Sequence, residues 1–538
     1  MATVTAPQPR AGAPGQGRTP FISRLMDRAQ RVPEWLWIGG GLAVLMALSA
    51  VLRSRYISGQ FWMDEAITTG VSLHPLGQIP GVLRHDGNPP LYYMLLHVWM
   101  SLFGSSEAAT HSLSLLFGVL TVPAGGWAAW SLFGRRAGVM AAILFAFNAW
   151  LTAYAQETRM YELMGLLGVV GTAAFVHGFV YRRRRFLFLF GATLTLMLYT
   201  HSWGTFFFAG SFISLIPTYL SSDDRRGLLR DALITFAAAG VLYLPWVPNL
   251  LYQVAHTAAP WDSAPRFGAP VQISRDLLGG DRITMALVLT AVIGLGPLFT
   301  RAQRRTREWT TMWTLIALPI ATLGLAWLSS QITPAWASRY FAPVLGALLL
   351  LIAWGCARAR LVGVLAIIVA VIFLAKPSSF TPQYKSDMRD LAAEVGPQLH
   401  QRDLVVVGQP EQTTLAWYYL PAGLRYANTA GVVSDPRFMN WVDALNRLKN
   451  TNPQSTLSAL VAGLEPGQQL LYIRPLTEGA QNWQAPWTEL VRRRSAQWGA
   501  ILSSDVAAGT LKPIASAPHH YRGACCVADS ALLYRKVS

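Results

Sequence analysis

The 538-residue sequence predicts an all-α polytopic membrane domain followed by a small α/β domain outside the membrane. Hydrophobic residues make up 52% of the chain and charged residues only 13%. Many apolar runs are long enough for helices that cross a hydrocarbon layer about 30 Å thick. After residue 376 the pattern changes to short apolar strands and amphipathic helices, which is typical of an α/β fold in water.

The apolar runs give the candidate membrane spans. These runs cover 35–52, 91–104, 112–132, 137–153, 161–180, 186–201, 204–220, 232–248, 284–300, 310–328, 341–355 and 361–375. The alternation of charged connections requires one of the early runs to be partial or re-entrant, and we assign this to the short run 91–104. About 11 crossings are therefore expected.

The net charge of +17 comes largely from arginine clusters between the apolar runs. This distribution matches the positive-inside rule, so the charge indicates membrane orientation, and nucleic acid is not expected as a partner. The clusters predicted to be cytoplasmic are Arg182–Arg185, Arg225/Arg226/Arg230, Arg301–Arg307 and Arg358/Arg360. The first long loop and everything after Lys376 are then extracytoplasmic.

Three segments follow from this pattern. Residues 1–34 are rich in Pro, Gly, Ala and Arg and are expected to form a disordered basic cytoplasmic tail, with no cleavable signal peptide. Residues 35–376 form the transmembrane domain, with a long outer loop at 54–90. Residues 377–538 form the extracytoplasmic α/β domain, for which we predict strands at 403–408, 469–473 and 531–535 and helices at 387–395 and 441–449.

The three cysteines do not have the spacing of a zinc site. Cys356 is expected to pack within an apolar run. The adjacent Cys525 and Cys526 are interpreted as two ordinary thiols, with a strained disulfide as the alternative.

Acidic residues are concentrated in the first long loop, which reads Phe61-Trp62-Met63-Asp64-Glu65 and later His85-Asp86-Gly87-Asn88-Pro89-Pro90. A carboxylate at a membrane surface is costly unless it has a partner or a function. Asp64, Glu65 and Asp86 are therefore the candidate catalytic residues, because a partly desolvated carboxylate can accept a proton from a hydroxyl. The alternatives are an interfacial solvated acid for Asp64–Glu65, and a plain turn leading into a helix for Asp86.

Two arginines lie between apolar runs, each close to a tyrosine: Arg159 with Tyr161, and Arg339 with Tyr340. The planar guanidinium suits phosphate oxygens, so these four residues are candidate phosphate ligands. For Arg159 the alternative is a structural pair with a nearby glutamate, and for Arg339 it is snorkelling at the membrane interface.

Two polar residues complete the predicted phosphate site, His201 beside Trp203 and Asn88 beside Asp86. His201 is interpreted as a phosphate or structural residue. A metal held by His201 with Asp86 or His85 is the alternative, so no cofactor is certain and a divalent metal is possible.

Carboxylates and arginines around lipid-exposed helices suit a substrate that is itself a lipid phosphate. The arginines would hold a phosphate leaving group, and a carboxylate would activate an acceptor hydroxyl. A single displacement at a sugar carbon would then invert its configuration.

The order of these motifs resembles that of the GT-C membrane glycosyltransferases, in particular the family 39-like bacterial group related to protein O-mannosyltransferases and the lipid A aminoarabinose transferase. The motifs are Asp64-Glu65, 86–93 (DGNPPLYY), 154–161 (YAQETRMY), His201, Arg339-Tyr340 and 384–389 (YKSDMR). The resemblance covers about residues 35–390.

The resemblance implies a polyprenyl-phosphate-linked sugar as donor and transfer on the outer face of the membrane. Asp64 would be the catalytic acidic residue with Glu65 as its neighbour, and Arg159 and Arg339 would bind the donor phosphate. The chain lacks a lysine near Asn88 and lacks the Asp-x-Asp of oligosaccharyltransferases, which argues against N-glycosylation and against an obligatory metal.

Other functions remain open at this point. Within enzymes the alternative is a polyprenyl-linked glycan ligase or oligosaccharide transferase, and outside enzymes it is a lipid or solute transporter. Mannose is the first expectation for the sugar, with arabinose, galactose or glucose open, and the acceptor is a lipid, a glycan or a protein.

Overall fold

Apolar helices form the first two-thirds of the chain, and a mixed α/β segment follows them. The computed structural model describes residues 33–257, 259–375, 385–476, 485–519 and 529–537. The helices up to residue 374 are α1 Glu34–Arg53, α2 Met63–Ser72, α3 Ile79–Asp86, α4 Leu91–Phe103, α5 Glu107–Phe133, α6 Arg135–Phe147, α7 Ala149–Tyr154, α8 Tyr161–Phe175, α9 Arg185–Thr200, α10 Gly204–Ile213, α11 Leu215–Ser221, α12 Arg225–Tyr243, α13 Val247–His256, α14 Ala269–Leu278, α15 Asp281–Leu295, α16 Arg307–Ile332, α17 Ala342–Arg358 and α18 Leu361–Leu374.

The chain divides into two units. The first, Met1–Val44, contains the start of α1. The second, Leu45–Ser538, contains every element discussed below.

Within the described residues, eight helical segments are long and apolar enough to cross a membrane, and three shorter apolar helices accompany them. The long segments are Leu36–Arg53, Glu107–Phe133, Tyr161–Val180, Gly204–Ser221, Arg225–His256, Asp281–Phe299, Arg307–Ile332 and Ser338–Arg358. The chain is therefore a multi-pass membrane protein, while the expected count of crossings stays a prediction.

The prediction of one continuous helix over 137–153 is wrong, because the helix is interrupted at Asn148. Asn148 has an extended backbone, and its side chain accepts a hydrogen bond from the Leu151 amide at 2.9 Å. Asparagine competes for backbone partners in this way and so favours helix caps over helix interiors. The result is two short helices, α6 and α7.

The segment 54–90, predicted as a long loop, contains the two short helices α2 and α3. Helix α3 ends at Gly87, which has a φ of 107° in the left-handed region that favours glycine. These helices place Asp64 at the start of α2 and Asp86 at the end of α3.

The C-terminal segment forms one six-stranded sheet with the order β3-β2-β1-β4-β6-β5. Its strands are β1 Leu404–Val407, β2 Arg425–Asn428, β3 Gly431–Val433, β4 Gln469–Pro475, β5 Leu511–Ala517 and β6 Asp529–Lys536, and its helices are α19 Met388–Val395, α20 Thr413–Tyr419, α21 Ala444–Asn450, α22 Pro453–Ala462 and α23 Pro486–Ala507. Strand β1 pairs in parallel with both β2 and β4, and the outer pairs are antiparallel.

Helices cover both faces of this sheet, because the side chains of β1 alternate between two apolar layers. Val405 and Val407 pack in the same cluster as residues of α19 and α20. Leu404 and Val406 pack in the same cluster as residues of α22 and α23. The predicted small α/β domain is therefore a three-layer structure.

Some predictions fall on residues that the structure does not describe. Residues 1–32 of the predicted tail, the predicted domain boundary at 376–377 and the Cys525–Cys526 pair lie outside the described residues. Cys356 is buried in α17, as predicted.

Candidate active site

A cavity of about 610 Å³ lies where α2 and several helix ends meet the C-terminal α/β segment. The residues predicted for the site that line it are Asp64, Asp86, Asn88, Arg159, His201, Arg339 and Tyr340. Glu65 and Tyr161 are not among the lining residues. One cavity thus brings together predicted residues from position 64 to position 340.

Asp64 and Glu65 occupy the first turn of α2, where acidic side chains interact favourably with the helix dipole. Neighbouring residues on a helix point in directions about 100° apart, so the two carboxylates face different surroundings. Asp64 faces the cavity and its side chain is 24% exposed, whereas Glu65 is fully buried.

Asp64 lies between the two predicted phosphate ligands. Its Oδ2 is 3.8 Å from a terminal nitrogen of Arg159 and 3.8 Å from a terminal nitrogen of Arg339. Asp64 alone cannot neutralise both guanidinium groups, and the second carboxylate that interacts with Arg159 in this cavity is Asp86.

Arg159 is held in place from the side away from the cavity. Its Nη1 donates to the Thr68 hydroxyl at 2.7 Å, and its Nε donates to the Tyr161 hydroxyl at 3.3 Å. Tyr161 therefore acts as a support for Arg159, which explains why it lies behind the cavity wall.

Arg339 is held mainly by aromatic rings. Its guanidinium carbon lies 5.4 Å from the centre of the Trp62 ring and 5.2 Å from that of Tyr340, within cation–π range. Its buried Nε has no hydrogen-bond partner among the described residues. Arg339 thus keeps donor capacity for an anion.

Both carboxylate oxygens of Glu65 interact with other groups of the protein. Its carboxylate lies 2.6 Å from His111 Nε2 and 2.8 Å from Lys385 Nζ, and it accepts from the Thr158 amide at 2.9 Å. Burial alone would raise the pKa of Glu65, but Lys385 and His111 lower it to about 2. Glu65 is therefore an ionised structural anchor within the protein.

Asp86 is buried beside the cavity and accepts a hydrogen bond from Asn88 Nδ2 at 2.8 Å. Burial raises its pKa to about 6, although Asn88 and Arg159 act in the opposite direction. A carboxyl group with such a pKa can exchange protons near neutral pH.

His201 follows α9 and lines the cavity beside Tyr340, with ring centres 5.0 Å apart. Burial, together with the charges of Arg159 and Arg339, lowers its pKa to about 3, so the ring is neutral at physiological pH. Its Nδ1 accepts from the Trp203 amide at 3.1 Å, which leaves Nε2 as the donor.

A metal site would need a group of ligands. Among the described residues, no group of three or more His, Cys, Asp or Glu side chains is placed to hold a metal ion. The predicted pair of His201 with Asp86 or His85 lacks a third such ligand in that part of the chain.

Several residues of the candidate site were not predicted from the sequence. Lys385 and His111 hold Glu65, and the C-terminal segment contributes cavity-lining residues of its own. Those lining residues are Gln409, Glu411, Trp441 and Thr488. Lys385 lies in a motif that supported the family resemblance, but nothing in the local pattern indicates its partner.

The solved structures with a similar fold include two crystal structures of ArnT from Cupriavidus metallidurans. The one bound to undecaprenyl phosphate superposes with a TM-score of 0.57 at 14% identity, covering 93% of this chain and 98% of the other. The apo structure gives a TM-score of 0.55 at 14% identity, covering 92% and 97%. ArnT is the lipid A aminoarabinose transferase and has the GT-C fold.

The predicted resemblance is therefore confirmed at the level of the fold: the chain has the GT-C fold over nearly its whole length. No protein-family model matches the sequence. No curated protein matches it either.

Proposed function

We propose that the protein is an inverting glycosyltransferase that moves a sugar from a polyprenyl-phosphate donor to an acceptor hydroxyl. The observation that carries the proposal is the position of Asp64 between Arg159 and Arg339 in one cavity at the helix ends. The similar fold of an ArnT structure bound to undecaprenyl phosphate supports a lipid phosphate as ligand.

Arg159 and Arg339 bind the donor phosphate and stabilise the charge that develops as it leaves. When the phosphate pairs with the two guanidinium groups, it displaces Asp64 from them. The freed carboxylate then accepts the proton of the acceptor hydroxyl. The hydroxyl oxygen bonds to the anomeric carbon as the bond to the phosphate oxygen breaks, and the configuration inverts.

The other predicted residues have supporting roles in this proposal. Neutral His201 donates from Nε2 to a donor phosphate oxygen, and Tyr340 and Asn88 complete that part of the wall. Asp86 is the second carboxylate near the reacting groups. For Glu65 we propose a positioning role, because its buried oxygens bind Lys385, His111 and backbone amides.

We place the cavity on the extracytoplasmic side. Helix α9 begins at Arg185, in an arginine cluster, and ends beside His201. Its 16 residues span about 24 Å, so the cluster and the cavity are at opposite ends of the helix. The positive-inside rule then supports an extracytoplasmic cavity and C-terminal domain.

The test is a transfer assay with the purified full chain in lipid. Radiolabelled polyprenyl-phosphate mannose is supplied first, then the arabinose, galactose and glucose donors, with membrane extract as the source of acceptor. We expect label to leave the lipid with the wild type and with Asp443→Asn, an exposed carboxylate outside the cavity. With Asp64→Ala the rate should fall about 100-fold to 10,000-fold.

The same assay also tests whether transfer needs a metal ion. Transfer should persist in EDTA, since two arginines supply the positive charge. Turnover of none of the donors, or full activity of Asp64→Ala, would contradict the proposed function.

A further inference from the structure

The C-terminal segment contributes its own surface to the cavity at one particular edge of the sheet. Strand β1 lies between β2 and β4 and runs parallel to both. The chain leaves β1 for β2 on one side and later returns to β4 on the other side. In α/β sheets this arrangement creates a crevice at the carboxyl end of the strand, and ligands bind there.

Gln409 and Glu411 follow the carboxyl end of β1, and both line the cavity. Helix α20, which follows Gln409 and Glu411 in the chain, packs against α2. Gln409 Nε2 lies 3.9 Å from the sulfur of Met63, the residue before Asp64. The ligand edge of the sheet is therefore directed at the turn that carries Asp64.

Glu411 is a buried carboxylate with a fixed orientation. Only 5% of the residue is exposed, and its Oε1 accepts from Gln409 Nε2 at 2.7 Å and from the Trp487 indole at 3.1 Å. Both donors to Glu411, the Gln409 amide and the Trp487 indole, are neutral. Among the described residues, no basic side chain forms an ion pair with Glu411. The carboxylate would repel a phosphate but can accept hydrogen bonds from hydroxyl groups.

Aromatic rings flank these polar groups. Trp441 and Trp261 both line the cavity, with ring centres 4.4 Å apart, and Trp441 also packs against Trp487 at 5.2 Å. A sugar ring has apolar C–H faces that pack on indole rings and hydroxyl groups that bind amides and carboxylates. This combination differs from the two arginines that flank Asp64.

We propose that Gln409, Glu411 and Trp441 form a carbohydrate-binding subsite at this edge of the sheet. The ring packs against Trp441, and its hydroxyls bond to Gln409 and Glu411. The sugar belongs either to the donor or to a glycan acceptor. Only this choice between donor and acceptor rests on the proposed function.

The first test measures binding directly. Saturation-transfer NMR is recorded with the full chain in lipid nanodiscs and the methyl glycosides of mannose, galactose, glucose and arabinose. We expect at least one glycoside to receive saturation from the wild type, and at least a tenfold weaker signal with Gln409→Ala, Glu411→Gln and Trp441→Ala. The matched control is Asp403→Asn, a buried carboxylate at the opposite end of β1 that is outside the cavity.

Two results of the NMR measurement would contradict the proposed subsite. An equal signal from wild type and all three variants, or no signal from the wild type, would overturn the subsite. Because Trp441 packs on two other indoles, its variant is compared only if its melting temperature matches that of the wild type. If it does not match, the signal of Gln409→Ala decides whether the subsite exists.

The second test identifies the source of the sugar. In the transfer assay, the KM values of the same three variants are compared with those of the wild type. A tenfold higher KM for the donor assigns the subsite to the donor sugar. A tenfold higher KM for the acceptor alone assigns it to a glycan acceptor. Unchanged KM values for both substrates would contradict the subsite. If the wild type turns over no donor, the proposed function fails, while the NMR measurement still decides the subsite.

Discussion

The ammonium group of Lys385 lies 2.8 Å from both carboxylate oxygens of Glu65, although the two residues are 320 positions apart. Lys385 also donates to the backbone carbonyl of Gln156 at 2.6 Å. The pair is buried, so it joins the start of the C-terminal segment to the helix turn that carries Asp64. Since the pKa of Glu65 is lowered, this stabilisation is present above the ordinary pKa of 4.5 and is lost as the pH falls toward about 2.

Removing one member of this pair should destabilise the fold strongly. We expect Lys385→Met to lower the free energy of unfolding by about 3–5 kcal/mol, because it removes the ammonium group from a buried carboxylate that then keeps only His111 beside it. The matched control is Arg389→Met, which breaks a partly exposed pair with Glu107 in the same region and should cost less than about 1 kcal/mol. Denaturant titration in detergent measures both, and equal effects would contradict the role of the buried pair.

Replacing Arg339 by lysine should weaken binding of a polyprenyl phosphate while retaining the charge. Lysine lacks the planar fork and the packing on Trp62 and Tyr340. We expect Kd for undecaprenyl phosphate to rise about tenfold, which is about 1.4 kcal/mol. The matched control is Arg358→Lys at the other end of α17, where the arginine pairs with Glu308. If both variants bind as the wild type does, Arg339 is not a phosphate ligand.

The rate of transfer should fall as the pH drops through about 6. The pKa of Asp86 is raised from 3.8 to about 6, so this group is mostly ionised above that pH and mostly protonated below it, and we expect transfer to require the ionised form. Asp86→Asn mimics the protonated form: we expect a lower rate at neutral pH and no remaining step near pH 6. The measurement is kcat/KM between pH 4.5 and 8.5, and an unchanged step in the variant would assign it to another group.

Helix α2 approaches the C-terminal segment so closely that only glycine fits at position 70. A Cβ built on Gly70 would overlap the backbone carbonyl of Arg437. Gly70→Ala should therefore shift α2 and lower the free energy of unfolding by about 1–3 kcal/mol. Gly77→Ala is the control, because a Cβ there meets open space within 4 Å. A melting temperature equal to that of the control would show that the contact yields without cost.

The sequence predicted the parts of the site that depend on local chemistry. Asp64, Arg159 and Arg339 could be found because a charged residue at the end of an apolar run needs an explanation wherever it lies. The helices could be found because the hydrocarbon layer sets their length. The break at Asn148 was missed because the run on both sides of it is mostly apolar.

The contacts between distant segments could not be predicted from one sequence. Nothing near Lys385 indicates that it meets Glu65, and nothing near Gln409 indicates that it approaches Met63. Strands β2, β3 and β5 were missed because they are short or carry polar residues and a proline, so their pairing depends on neighbouring strands. Such pairings are decided by tertiary packing.

The cavity walls come from residues as early as Trp62 and as late as Thr488, and this has a consequence for synthesis on the ribosome. The chain is made from its amino terminus, so the arginines and carboxylates of the proposed site enter the membrane well before the sheet that covers them. A nascent chain that has not reached Lys385 leaves Glu65 without its cation and the cavity without its cover. The cavity wall is therefore complete only after residue 488 has been translated, and chains that terminate before that residue should be inert.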